Sequence, residues 1–191
     1  MFTTLEPYCK FDKIVIVGPQ RSGTRFATWA IAHDLGLKFI DQRGIRINKF
    51  SHLVSALDTY DRVAIQGTGC THCIHKLKRD DTLVVYVRRL PAHVLASQQR
   101  IQWQEEAWEA AKIPEKYRIY PLCEGRFQYW RDEQCISIPN WTILPYDSLR
   151  QHPLFIDEKD RARLNGGQGM PWNSCTGVQH DDLNALDGGT A

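Results

Sequence analysis

Residues 18–25, GPQRSGTR, set two glycines with four residues between them, a cation at Arg21 and a hydroxyl at Ser22. After a strand and before a helix, such a turn aims backbone N–H groups and the positive end of a helix dipole at an anion. A nucleotide-hydrolysing loop continues Gly-Lys-Ser/Thr, with the Lys on the β- and γ-phosphates and the hydroxyl on Mg²⁺. Here Gly23 is followed by Thr24 and Arg25, and the basic residue has moved inside the loop, to Arg21. That departure suits transfer of an anionic group without a loop-bound metal. The competing reading is a helix-capping turn that leaves Arg21 in solvent.

Three other stretches carry chemistry-bearing residue types. In VVYVRRLPAHVLASQQR, residues 84–100, Arg89 ends an apolar run, Pro91 follows two residues on, and Ser97 lies eight residues after the Arg. A strand ending in Arg and a Ser in the second turn of the next helix can converge on one phosphate. In CTHCIH, residues 70–75, Cys70 and Cys73 are spaced Cys-x-x-Cys with His72 and His75 beside them. Zinc needs four convergent ligands, and no second Cys-x-x-Cys or His-x₃-His pair exists, so no metal site is expected. Haem attachment needs His directly after the second Cys, and Ile74 stands there. Trp103, Trp108, Tyr117, Tyr120, Phe127, Tyr129 and Trp130 make residues 103–130 rich in aromatics. They could stack on an acceptor, although at helical spacing aromatics are more often core.

The elements around these residues alternate. KIVIVG at 13–18 is a short β-branched run, as in a strand buried on both faces of a parallel sheet. Apolar residues at helical spacing over 24–35 predict a helix capped by Thr24 and ended by Gly36. Strands are expected at 37–41, 62–67, 82–88 and 141–146. Helices are expected at 50–58, from Pro91 to about Trp103, over 104–112, and around Phe127 and Trp130. Strands alternating with helices give an α/β fold of three layers, with a mainly parallel central sheet, helices on both faces, and a phosphate-binding loop after the first strand. Residues 1–164 form the expected single domain. From Asn165 onward six of the thirteen glycines fall without periodicity, so 165–191 are expected to be a loop or a partly disordered tail.

Composition narrows the function classes. The chain has 191 residues, 42% hydrophobic and 24% charged, which excludes wholesale disorder and fibrous folds. No apolar run approaches the roughly 20 residues of a membrane span. Net charge is +2 but uneven: residues 165–191 carry −3, which leaves +5 on residues 1–164. That excess suits an anionic ligand and is too weak to argue for nucleic acid. Six cysteines in a chain of this size and ordinary composition read as reduced thiols, not a disulfide scaffold. MFTTLEPYCKFDK has no basic segment followed by an apolar stretch, so a secretory signal is not expected and the cytoplasm is the expected address.

GPQRSGTRF resembles the 5′-phosphosulfate-binding loop of sulfotransferases, usually Pro-Lys/Arg-Ser-Gly-Thr-Thr before a large apolar residue. Gln20 is an insertion relative to that form, and Arg25 replaces the second Thr. The segment from Arg89 through Pro91 to Ser97 is similar to the family's 3′-phosphate-binding motif. PYDSLRQHP at 145–153 is similar to the stretch that ends its last strand. The resemblance covers roughly 45 residues in three places. It implies a donor, 3′-phosphoadenosine 5′-phosphosulfate, held by Arg21, Ser22, Gly23, Thr24, Arg25, Arg89 and Ser97, with no metal required. The partners implied are this nucleotide donor and a small-molecule, glycan or peptide acceptor, with no nucleic acid and no membrane. Arg21 would stabilise the charge that develops as the sulfuryl group leaves. The proton acceptor should stand at a strand end facing the loop. Both His72, in a Thr-His pair like that of many cytosolic sulfotransferases, and Asp41, where protein-tyrosine sulfotransferases place a glutamate, meet that condition. Two other readings compete: a nucleotide kinase or NTPase with a degenerate loop, and a nucleotide-binding protein without catalysis.

Overall fold

A computed structural model of the chain describes residues 7–42, 47, 49–100 and 113–156. Five strands alternate with helices along them: β1 (Lys13–Val17), α1 (Thr24–Leu35), β2 (Lys38–Ile40), α2 (Phe50–Thr59), β3 (Val63–Gln66), β4 (Thr82–Arg88), α3 (Pro91–Arg100), α4 (Leu122–Tyr129), β5 (Trp141–Pro145) and α5 (Tyr146–Arg150). A nine-residue 3-10 helix, Thr68–Lys76, follows β3, and a π-turn, Trp130–Gln134, extends α4.

All strand pairings are parallel, in the order β2-β3-β1-β4-β5. The α/β class and the parallel sheet expected from the alternation are therefore found. Side chains of a strand alternate between faces, and both faces here are apolar. Ile14, Ile16, Ala64, Leu83, Val85 and Val87 pack on one face with Phe26, Ala27, Ala30 and Ile31 of α1. Val15, Val17, Val63, Ile65, Val84 and Tyr86 pack on the other with Leu53 and Leu57 of α2, Cys70 and Ile74 of the 3-10 helix, and Phe127 and Trp130. Helices therefore cover the sheet on both sides.

The chain builds β2 and β3 on one side of β1 and then β4 and β5 on the other. In a parallel sheet every strand delivers its following loop to the same edge, and ligands bind where the strand order reverses. Residues 18–23, Asp41, the 3-10 helix, Arg89 and Tyr146 all follow carboxyl ends of strands, so the topology gathers them at one edge.

Several local expectations need correction. Thr24 does not cap α1. Gly23 occupies the N-cap with φ 96° and ψ 13°, and no side chain caps that end. The left-handed Gly23 carries the chain out of the loop, so Thr24 is already helical and its hydroxyl is used elsewhere. The other end is as expected: Gly36 is left-handed, and the N–H groups of Gly36 and Leu37 return to the carbonyls of His33 and Ala32. The helical pattern around Trp130 is not one helix, because α4 gives way to a wide turn in which Trp130 is fully buried against Tyr86, ring centroids 4.5 Å apart. The helix from Pro91 is described to Arg100; the remainder to Trp103, the helix at 104–112 and the tail at 165–191 lie outside the described residues. Among the described residues no helix is long and apolar enough to cross a membrane.

Candidate functional site

The loop between β1 and α1 is held from three sides. Gly18 has φ 144°, and a Cβ there would stand 2.8 Å from the Val87 carbonyl oxygen, so glycine lets the loop lie against β4. Its N–H donates to Thr71 Oγ1 at 3.1 Å, and the same hydroxyl lies 3.1 Å from the Gly18 carbonyl and 2.8 Å from that of Thr68. At the far end of the loop a Cβ on Gly23 would meet the Tyr146 ring at 2.7 Å. Tyr146 thus packs against the start of α1, and the Arg89 guanidinium lies 4.2 Å from the centre of the same ring.

Arg21 is the one non-glycine residue among those described with positive φ, at 69°. A left-handed conformation costs a residue with a Cβ roughly 1–2 kcal/mol, and such strain is retained where surrounding contacts over-determine it. Those contacts are visible. Arg89 Nη1 donates to the Arg21 carbonyl at 2.9 Å, and Arg21 Nε donates to Ser97 Oγ at 3.1 Å. Arg100 Nη2 donates to that same Oγ at 3.2 Å. A hydroxyl that accepts twice has only its own O–H left to donate. Ser97 is buried, while Arg21 and Arg100 are exposed. Three guanidinium groups thus gather beside one oriented hydroxyl, at the uncapped N-terminus of a twelve-residue helix whose first turn carries no acid. The arrangement suits a multiply charged anion.

Buried polar atoms point the same way. Ser22 is fully buried inside the loop, and its Oγ has no protein partner. The Nε of Arg89 is likewise buried without one. Buried groups of this kind cost about 1–3 kcal/mol unless something binds them.

The other expected site residues divide. Thr24 Oγ1 accepts from Gln66 Nε2 at 3.2 Å and from Thr68 Oγ1 at 2.9 Å, which ties α1 to the end of β3. Arg25 pairs with Asp41, Nη2 to Oδ2 at 2.5 Å, with the Asp41 side chain 5% exposed. The residues at the Lys and Ser/Thr places of an NTPase loop are thus engaged with the protein itself. His72 is exposed on the 3-10 helix. Its backbone carbonyl accepts from Gln134 Nε2 at 3.0 Å. Of the aromatic series, Tyr117, Phe127 and Trp130 are core, Tyr120 is exposed, and Trp103 and Trp108 lie outside the described residues. Among the described residues no three His, Cys, Asp or Glu side chains lie close enough together to hold a metal ion.

Sequence reasoning did not single out Arg100, Thr71 or Tyr146 as site residues. Arg100 carried a readable signal, three positions after Ser97 and so on the same helix face. Thr71 lies in the Thr-His pair and Tyr146 in PYDSLRQHP, both already likened to the family, but their contacts with the loop, across 53 and 123 residues of sequence, have no local signal.

Compared with protein-family models, with curated proteins and with solved structures, the chain matches none.

Proposed function

We propose that the protein is a sulfotransferase that moves a sulfuryl group from 3′-phosphoadenosine 5′-phosphosulfate to a hydroxyl or amine acceptor. The observation that carries the reading is the meeting of Arg21, Arg89 and Ser97. Residues drawn from two motifs, 68 and 76 positions apart, touch at one strand edge. The partnerless buried Ser22 Oγ fits a phosphate in the loop.

In this reading the N–H groups of residues 21, 23 and 24 and the side chains of Arg21 and Ser22 hold the 5′-phosphate end, while the Ser22 N–H closes the loop onto the Pro19 carbonyl. Arg89 and the Ser97 O–H hold the 3′-phosphate, with Arg100 beside them. Thr24 and Arg25 act indirectly, by fixing α1 to Gln66, Thr68 and Asp41. When bound, the donor supplies an activated sulfuryl group whose departure leaves negative charge on the 5′-phosphate. Fixed cations and N–H groups aimed at that charge lower the barrier without reorganising. His72 and Asp41 differ as proton acceptors. A proton added to Asp41 would break a buried ion pair, whereas the exposed His72 ring can exchange protons with solvent. This reading therefore takes His72 as the acceptor, with Asp41 as the alternative. The cytoplasm fits this reading, since the five described cysteines are all thiols.

Thermal unfolding with added nucleotides tests the proposal. Adenosine 3′,5′-bisphosphate at about 100 times its Kd should add about 2.7 kcal/mol, a rise in Tm of several degrees for a domain of this size. Adenosine 5′-phosphate should do less, and ATP with Mg²⁺ should not exceed it. Radiolabelled donor with a panel of phenols, sugars and amines then reads transfer. Stabilisation by ATP and Mg²⁺ alone overturns the reading in favour of a kinase. Bisphosphate binding without transfer or donor hydrolysis overturns it in favour of a binding protein.

A further inference from the structure

The turn that holds Gly18 also carries two thiols. Cys70 and Cys73 lie three apart in the 3-10 helix Thr68–Lys76. Side chains at i and i+3 of a 3-10 helix eclipse, with a rise of about 2.0 Å per residue. Their Cα atoms therefore stand about 6 Å apart, inside the range a disulfide spans. Both thiols are buried on this turn. The Cys73 thiol donates to the Cys70 carbonyl oxygen at 3.4 Å, which turns its sulfur back toward Cys70. Runs of 3-10 helix longer than three or four residues are uncommon. This one spans nine and is pinned by Thr71 to Gly18 and by Gln134 to His72 and His75.

We propose that Cys70 and Cys73 are a peroxide-reactive dithiol that closes reversibly to an intramolecular disulfide, with Cys73 attacking and Cys70 resolving. Exposure assigns the roles, because Cys73 is 9% exposed and Cys70 is fully buried. The local charges agree. Hydrogen bonding from Cys70 holds the Cys73 thiol well below its ordinary range, burial opposes this, and His72 and Lys76 reinforce it. The same hydrogen bond, with burial, pushes Cys70 up. Thiolate is the reactive form, so the outer sulfur is the nucleophile. With Cys73 only 9% exposed, a small oxidant such as hydrogen peroxide is the one proposed.

The steps balance. Cys73 thiolate attacks one peroxide oxygen, the S–O bond forms, the O–O bond breaks, and hydroxide leaves to take up a proton as water. The Cys70 sulfur, losing its proton, then attacks Cys73 Sγ. The S–S bond forms, the S–O bond breaks, and a second water leaves. Two thiols are oxidised and one peroxide is reduced. A dithiol reductant reverses the change by thiol–disulfide exchange. None of this depends on the transfer reading.

The test uses the full chain, one equivalent of hydrogen peroxide, alkylation of remaining thiols and peptide mass mapping. A Cys70–Cys73 crosslink should appear before modification of the exposed Cys9, and dithiothreitol should remove it. Between pH 8 and pH 6 its rate of formation should fall less than the roughly 75-fold loss of thiolate in free cysteine, whose pKa is about 8.5. Cys70→Ser should stop at a sulfenic acid on Cys73, captured by dimedone. Cys73→Ser should leave Cys70 alkylatable at the same dose. The proposal fails if Cys9 oxidises first while Cys70 and Cys73 stay alkylatable, if Cys73 oxidises without a crosslink, or if the rate tracks free cysteine. The wild-type measurements need neither variant to fold.

Discussion

Arg21 is asked to be two things at once, a left-handed turn residue and a cation. Its φ of 69° would suit glycine better, and Arg89 Nη1 on its carbonyl helps to hold it there. The position therefore keeps a guanidinium at a backbone cost, which is sensible only if the charge is used. In the transfer reading it is used most when negative charge appears on the leaving phosphate. Arg21→Ala should lower kcat by about 10²-fold or more, as for loss of one oxyanion donor, with a smaller loss in bisphosphate affinity. Arg21→Lys should recover part of the rate, since a point charge replaces a fork at a single oxygen. Steady-state transfer and bisphosphate titration separate the two effects, and a wild-type rate for Arg21→Ala would defeat the assignment. Arg89 differs, because it both reaches the anion and braces the loop. Arg89→Ala should weaken adenosine 3′,5′-bisphosphate by roughly 1.5–3 kcal/mol, the worth of a hydrogen bond to a charged group. It should weaken adenosine 5′-phosphate by less. Calorimetric titration of both ligands checks this, and equal losses would remove Arg89 from the 3′-phosphate.

At the scale of elements, Gly23 is where loop, helix and last strand meet. With φ 96° and the Tyr146 ring 2.7 Å from the place of a Cβ, it rejects a side chain on two counts. Gly23→Ala should cost roughly 1–2 kcal/mol for the left-handed backbone and about 1–3 kcal/mol for the overlap. Gly23→Ala combined with Tyr146→Ala should regain only the second part, and a double-variant cycle of Tm values reads it. An additive result would mean the ring simply swings away. The same elements show what a sequence reveals. β1, β4 and α1 were legible because β-branched runs and helical spacing are local signals, and both faces of a parallel sheet must be apolar. The glycine loop and the Arg89–Ser97 spacing were legible because a strand end and the next helix turn have fixed geometry. The 3-10 helix was not. TGCTHCIHK has no helical stripe, and its shape is imposed by Gly18 and Gln134 from more than fifty residues away. The Arg25–Asp41 pair was equally invisible, since it joins two residues that the sequence suggested for separate tasks.

Over the whole molecule, one polar contact fastens the last described segment to the fold. His152 and Asp34 meet at 3.0 Å, with their side chains 1% and 10% exposed. His152 Nδ1 accepts from the Leu154 N–H at 3.2 Å, so Nε2 carries the hydrogen donated to Asp34 Oδ2. Phe155 then packs edge-on against Phe26 of α1, 5.3 Å between centroids, and against Tyr146 at 6.1 Å. The pair thus positions a lid of apolar side chains over α1, behind the loop that α1 follows. Burial alone would raise the Asp34 carboxyl, but hydrogen bonds from His33 and His152 outweigh it, and the net shift is downward. A carboxyl that is more acidic folded than unfolded stabilises the fold above its unfolded value, about 3.9. That stabilisation is lost as pH falls through the lower, folded value. Asp34→Asn should therefore lower stability at pH 7 by roughly 1.5–3 kcal/mol, as for one hydrogen bond to a charged group. The gap from wild type should hold down to about pH 5, narrow below pH 4, and close once the wild-type carboxyl is protonated. Urea unfolding of both proteins across that range measures it. A gap that persists at the acid end would mean that Asp34 acts by shape and not by charge.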